Sequence, residues 1–140
     1  MGLERTIIYL DSCLVIYLVE KHEDFFSALQ DKIASSTVIF AVSDLTLMEC
    51  LVIPTRKNDG ALIQRYRAWF AEASMLSLGT DVFEKAAKLR ADHSSLKTPD
   101  ALHLGAALDH NCDELWTNDN RLVNVAPAIV KNILTPNSNA

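Results

Sequence analysis

Four acidic residues stand at positions where the neighbouring sequence is apolar or where a secondary-structure element begins or ends. Asp11 interrupts an apolar stretch near the N-terminus, and Glu49 lies within a second apolar run. Asp119 follows a short apolar segment, and Asp100 precedes a longer one. An acid in apolar surroundings needs a partner, and acids that lie close together repel one another unless a cation compensates them. The four residues therefore predict a cation site.

Carboxylate oxygens are hard ligands, so they favour Mg²⁺ or Mn²⁺ over zinc. One or two such ions on a phosphodiester can activate a water molecule and neutralise charge on the scissile phosphate. The sequence contains no GxSxG elbow, P-loop or GxGxxG motif that would indicate a different chemistry. Hydrolysis of a phosphodiester by activated water is the reaction that the residues favour.

Two of the acids also have an ordinary structural interpretation. Asp100 is an acid at a predicted helix start, where negative charge is favourable, and Asp119 lies in a Thr-Asn-Asp-Asn turn sequence. Asp11 and Glu49 are harder to explain in this way, because each is surrounded by apolar residues on an element that must pack.

Short β-branched segments alternate with longer helical ones, which predicts an α/β domain with a mainly parallel sheet. The segment that follows Asp11 is expected to be a helix, since a continuing strand would bury Asp11 without a partner. Strands are predicted at residues 6–10, 38–42, 75–78 and 114–117, and residues 129–134 are a candidate fifth strand.

These elements would bring the four acids together. Asp11 and Asp119 each follow a predicted strand directly, and ligands of open α/β sheets bind outside the carboxyl ends of the strands. Ser43 is expected to cap a helix in which Glu49 lies about one and a half turns from the start.

Two prolines mark predicted helix boundaries. Pro54 is expected to end the helix that carries Glu49. Thr98, Pro99 and Asp100 predict a helix start, with a capping hydroxyl, a proline at the first position and an acid in the first turn.

Length and composition set the wider limits. The 140 residues predict one domain over residues 1–134, followed by a polar, flexible tail over residues 135–140. The net charge is −5, yet without the four proposed ligands thirteen basic residues face fourteen acids. Three cysteines without a CxxC pair indicate a reducing cytoplasm. Neither a signal peptide nor a membrane-spanning run is expected.

Four motifs in this order resemble the PIN domain, and within it the VapC-type toxins of prokaryotic toxin–antitoxin pairs. They cover nearly the whole chain and read IIYLDSCLVIYL, SDLTLMECLVIPTR, TPDALHLGAAL and LWTNDNRL. The resemblance implies a three-layer α/β/α sandwich with a central sheet of four to five strands. It also implies a Mg²⁺- or Mn²⁺-dependent endoribonuclease acting on transfer or ribosomal RNA, a VapB-like antitoxin and a homodimer.

Residue roles follow from the same resemblance. Asp11 and Asp100 would be the central metal ligands, Asp119 would complete the site, and Glu49 would bind metal directly or through water. Residues placed to orient these carboxylates by hydrogen bonds are Ser12, Thr117 and Asn118, for which capping and turn formation are the alternative.

Further interpretations concern His103, two basic residues and the rival functions. His103 is expected to be a packed or hydrogen-bonded structural residue. Arg56 and Lys57 are candidate phosphate contacts, with solvated helix surface as the alternative. A catalytically silent PIN-like module that binds RNA or protein is the main rival function, and a preference for DNA is not excluded by four acids. A phosphatase with Asp11 as nucleophile would need a second Asp where Cys13 stands.

Overall fold

A computed structural model describes residues 5–35 and 37–134, so the predicted tail at residues 135–140 lies outside the described residues. Its centre is a sheet of five parallel strands in the order β3-β2-β1-β4-β5. The strands are β1 (Thr6–Leu10), β2 (Val38–Ser43), β3 (Ser74–Leu76), β4 (Glu114–Thr117) and β5 (Val130–Asn132). The predicted mainly parallel sheet is confirmed, with all five strands present.

Helices make up most of the remaining described chain. They are α1 (Ser12–Val19), α2 (Phe26–Ala34), α3 (Asp44–Arg56), α4 (Gly60–Glu72), α5 (Thr80–Asp92), α6 (Thr98–Asp109) and α7 (Asn120–Val125). None of these helices is long and apolar enough to cross a membrane.

Alternating side chains of β1 serve two separate cores, one on each face of the sheet. Tyr9 belongs to the core formed with α5 and α6, whereas Ile8 and Leu10 belong to the core formed with α1, α2 and α4. Each core is lined by fully buried aliphatic side chains, among them Leu104 on the first face and Leu14 on the second. Because helices cover both faces, the molecule is a three-layer α/β/α sandwich, as predicted.

The direction of strand addition reverses next to β1. From β1 the chain adds β2 and β3 on one side and later places β4 and β5 on the other. Leu10 at the end of β1 pairs with Trp116 in β4, so these two strands end side by side. In open α/β sheets such a reversal leaves a crevice at the carboxyl ends of the strands, where ligands bind.

Three details differ from the prediction. Pro54 does not end α3, which runs to Arg56 with Pro54 buried inside it. Pro54 has no N–H to donate to Cys50 O one turn earlier, yet the helix continues past it, with Lys57 N bonded to Ile53 O.

The start of α6 also differs by one position. Lys97 is the N-cap and Thr98 is the first helical residue, so Thr98 is not the cap. Its hydroxyl instead accepts a hydrogen bond from Arg90 Nη1 at 2.9 Å. Pro99 remains harmless in the first turn, where a backbone N–H has no helical acceptor. The third difference is α7, a short helix that begins at Asn120 and that the sequence did not predict.

Candidate metal centre

Asp11 lies between β1 and α1 and is held in place from two sides. As the N-cap of α1, it accepts a hydrogen bond from Ser12 N at 2.8 Å. Its second oxygen accepts the hydroxyl of Thr117 at 2.7 Å, from the end of the neighbouring strand β4. Both Asp11 and Thr117 are buried. The carboxylate is therefore oriented by the two strands that flank the reversal point.

Asp119 lies at the same edge, two residues after β4. It is the N-cap of α7, with Oδ1 accepting from Arg121 N at 2.9 Å. The guanidinium of Arg121 contacts both carboxylate oxygens at 3.2 Å. Hydrogen bonding to Arg121 lowers the pKa of Asp119 below its usual value. Arg121 was missed in the sequence, where its spacing of two residues from Asp119 was the available signal.

Asp100, in the first turn of α6, is the acid without a compensating partner. Within the described ranges no donor hydrogen-bonds to its half-buried carboxylate. Burial raises its pKa, and the negative charges of Asp11, Asp119 and Glu49 raise it further, against a smaller opposing effect of His103. Asp11, Asp119 and Glu49 thus all lie near enough to Asp100 to influence its pKa.

Glu49 occupies α3 and is bonded to a buried histidine. Its Oε1 lies 2.5 Å from Nε2 of His103, while Nδ1 of His103 lies 2.6 Å from the hydroxyl of Tyr9. His103 and Tyr9 are buried, whereas the side chain of Glu49 is 27 % exposed. The expectation of a hydrogen-bonded His103 agrees with this geometry, but the contact with Glu49 was not foreseen.

The remaining candidates differ in how they relate to the carboxylates. Asn118 donates through Nδ2 to the hydroxyl of Tyr17 at 3.1 Å, so this amide orients an aromatic ring and not an acid. Ser12 contributes its backbone N–H to Asp11. Arg56 and Lys57 lie at the far end of α3, seven and eight residues beyond Glu49, which is about 10 Å along a helix axis. The structure does not bring Arg56 and Lys57 to the edge of the sheet where Asp11 and Asp119 lie.

The donor set fits a hard divalent cation. Four carboxylates share one edge, and Asp100 is half-buried among three negative charges with no hydrogen-bond donor in the described chain. As the side chains stand, however, no three His, Cys, Asp or Glu residues of ranges 5–35 and 37–134 form a group that could hold a metal ion. Asp119 is engaged by Arg121 and Glu49 by His103. The assignment of all four as ligands therefore stays a prediction.

Solved structures with the same fold include a toxin–antitoxin complex and a toxin that cleaves RNA. A toxin–antitoxin complex from Klebsiella pneumoniae has a TM-score of 0.74 at 23 % identity, covering 90 % of this chain and 97 % of that one. VapBC2 from Rickettsia felis, bound to a promoter DNA fragment, has a TM-score of 0.75 at 17 % identity, covering 91 % and 98 %. VapC20 from Mycobacterium tuberculosis, a toxin that cleaves the sarcin–ricin loop, has a TM-score of 0.73 at 14 % identity, covering 85 % and 95 %.

The sequence itself carries the family assignment. No curated protein matches the chain. The model of the PIN domain matches residues 8–127, which include all four acids. The chain belongs to the PIN domain family.

Proposed function

We propose that this protein is a metal-dependent endoribonuclease and the toxin of a toxin–antitoxin pair. The observation that carries the proposal is the crowding of carboxylates near the reversal point of the sheet, where Asp11, Asp119 and Glu49 raise the pKa of Asp100 and no donor of the described chain hydrogen-bonds to it. A purely structural role would not account for a half-buried acid placed among three others. The structural neighbours include a toxin–antitoxin complex and VapC20, a toxin that cleaves the sarcin–ricin loop.

The proposed reaction divides the work among residues of different elements. Asp11 and Asp100 would be the central ligands, with Asp119 completing the set and Glu49 contacting the ion or its water. Bound Mg²⁺, or Mn²⁺ in its place, would supply charge neutralisation at the scissile phosphate and lower the pKa of the attacking water. Thr117 keeps Asp11 in one orientation through its 2.7 Å hydrogen bond. A ligand held in this way loses little freedom when the ion binds.

Arg121 is the basic residue best placed to contact RNA at this edge. Its side chain is 80 % exposed, it forms an ion pair with Asp119, and the charge of Asp100 also raises its pKa. If Asp119 turns to a cation, the guanidinium is released beside the site and can contact a phosphate of the substrate. Lys97, exposed at the N-cap of α6, adds a second positive charge three residues before Asp100. Arg56 and Lys57 remain proposed contacts for a more distant part of the RNA.

The proposed partners follow from the family. A transfer or ribosomal RNA would be the substrate, a VapB-like antitoxin would block the site, and the chain would act as a homodimer in the cytoplasm. The structural neighbour from Klebsiella pneumoniae is a toxin–antitoxin complex, and the one from Rickettsia felis is VapBC2 bound to promoter DNA. These two assemblies support the proposed pairing with an antitoxin.

A catalytically silent binding module is the second candidate, and one observation favours it. Two of the four acids already have a partner within the chain, because Arg121 contacts Asp119 and His103 contacts Glu49. A module that only binds RNA or protein would keep these pairs permanently. A nuclease would have to exchange at least the first of them for a cation.

Cleavage of RNA with controlled metal content separates the two candidates. The purified full chain is incubated with transfer and ribosomal RNA in EDTA, and then with added Mg²⁺ or Mn²⁺. We expect no cleavage in EDTA and discrete cleavage products once either ion is in excess. DNA of matched sequence tests the sugar preference. Cleavage that persists in EDTA would refute metal dependence, and RNA binding without cleavage in either ion would support the silent module.

A further inference from the structure

A connected row of buried, hydrogen-bonding side chains lies next to the acids. Tyr9 lies in β1, two residues before Asp11, which follows the strand as the N-cap of α1. His103 follows Asp100 by three residues along α6, which places both on one helix face. Asp100 and Glu49 thus each have a buried polar residue three positions away on their own helix, and for Glu49 this residue is Thr46 on α3.

The row is connected without a break. The hydroxyl of Tyr9 lies 2.8 Å from Ser43 Oγ, 3.2 Å from Thr46 Oγ1 and 2.6 Å from His103 Nδ1. His103 Nε2 then lies 2.5 Å from Glu49 Oε1. No buried side-chain nitrogen or oxygen in the described residues lacks a hydrogen-bond partner. All the buried polar side chains of this row therefore have a hydrogen-bond partner.

The donors and acceptors along this row determine the direction of its hydrogen bonds. Ser43 and Thr46 form a capping box, in which Ser43 Oγ accepts from the N–H of Thr46 and Thr46 Oγ1 accepts from the N–H of Ser43. Each hydroxyl keeps one proton to donate, and the oxygen of Tyr9 is the nearest shared acceptor. The proton of Tyr9 is then left to be donated to His103 Nδ1.

We infer that this row is a positioning relay in which Tyr9 holds His103 as its Nε2–H tautomer, so that His103 donates to Glu49 and fixes it. An imidazole that accepts at Nδ1 must carry its proton on Nε2. Oε1 of Glu49 then accepts the hydrogen bond that holds this side chain in place, while no donor of the described chain hydrogen-bonds to Oε2. The free oxygen is the one available to a cation or to its bound water. His103 is thus a positioning residue, acting through Glu49.

This inference rests on the proposed function only for its effect on metal and RNA. The tautomer can be measured without either. A long-range ¹H–¹⁵N spectrum of the full wild-type chain should show His103 protonated at Nε2 and unprotonated at Nδ1. His103 protonated at Nδ1 would overturn the relay, whatever the protein does to RNA.

The second arm uses Tyr9→Phe, which removes only the hydroxyl that reaches His103. We expect the Kd for Mn²⁺ to rise about tenfold or more, as is typical when a residue that orients a ligand is lost. The kcat for RNA cleavage should fall with KM unchanged, and the Nε2–H tautomer should lose its predominance. Tyr66→Phe is the matched control, because Tyr66 is also fully buried and its hydroxyl bonds to Glu20.

The outcomes separate the two claims. If the wild-type chain neither binds Mn²⁺ nor cleaves RNA, the proposed function fails, and the spectrum still decides the relay. If the wild type does both and Tyr9→Phe changes Mn²⁺ affinity and kcat no more than Tyr66→Phe does, the positioning role is refuted. Should Tyr9→Phe fail to fold, the wild-type tautomer remains the deciding measurement.

Discussion

Replacing Asp11 by asparagine is expected to lower kcat for RNA cleavage about a thousandfold, which corresponds to about 4 kcal/mol of lost transition-state stabilisation. The exchange removes one negative charge from the proposed ligand set and keeps the side-chain shape. The fold should persist, because the amide oxygen can still cap α1 by accepting from Ser12 N. The amide N–H₂ can donate to Thr117 Oγ1, whose hydroxyl is free to rotate. The measurement is single-turnover cleavage together with a thermal melt.

Asp59→Asn is the matched control for this experiment. Asp59 is also an N-cap, for α4, and its Oδ1 accepts from Leu62 N at 3.1 Å on the exposed surface. The same chemical change should leave cleavage unaltered and shift stability by a similarly small amount, since asparagine is as good a cap as aspartate. Cleavage by Asp11→Asn within a few-fold of the control would contradict the assignment of Asp11 as a ligand.

Replacing Gly105 by alanine is expected to destabilise the protein by about 2 kcal/mol, or roughly 6 °C in Tm. Gly105 lies in α6 where this helix packs against α5. A Cβ at this position would come within 2.9 Å of the backbone oxygen of Val82 and 3.4 Å of Ala86 N. These two atoms belong to the backbone of α5, so they cannot relieve the contact by rotation as the end of a flexible side chain can. The clash should therefore outweigh the gain of about 1 kcal/mol that alanine brings to a helix interior.

Gly60→Ala distinguishes a steric effect from a general effect of losing glycine. Gly60 is the first residue of α4, and a Cβ there would meet nothing within 4 Å. This variant should remain within about 0.5 kcal/mol of the wild type in chemical denaturation. If Gly105→Ala is as stable as Gly60→Ala, then α5 and α6 do not pack as closely as described. Such a result would also question the placement of Asp100 and His103, which α6 carries.

The sequence predicted the sheet because its pattern is strong there. Residues 6–10 and 114–117 are short apolar runs that end at a polar residue, and such runs form buried parallel strands. The same pattern predicted that Asp11 and Asp119 lie at one edge, and in the structure Asp11 follows β1 directly and Asp119 lies two residues after β4. Helix boundaries were predicted less well. Pro54 is accommodated inside α3 by tertiary packing, which a local rule about proline does not include.

The partners of the acids could not be read from the sequence. Tyr9, Ser43 and His103 meet across the fold, with 34 residues separating the first two and 94 separating Tyr9 from His103. Hydrogen bonds between such distant residues depend on the packing of α3 and α6 against β1, which periodicity does not specify. Arg121 was missed for the opposite reason. Its contact with Asp119 is local, but it depends on α7, and six residues give only a weak helical pattern.

The most direct test of the central claim, that crowded carboxylates require a cation, is a comparison of thermal melts of the wild type and Asp100→Asn. The pKa of Asp100 is raised in the folded chain, so its ionised form is disfavoured by folding. Stability from this group is present at low pH and lost as the pH rises through the folded pKa. At neutral pH in EDTA, the neutral asparagine should therefore raise the Tm above that of the wild type.

Excess Mn²⁺ should reverse this order. A cation bound only by the folded state adds about 2.7 kcal/mol when its concentration is about a hundred times Kd, and the variant, having lost a ligand, should gain much less. The wild type is then expected to melt above Asp100→Asn in Mn²⁺ and below it in EDTA. The same order of Tm in both solutions would contradict a cation site built from these four acids.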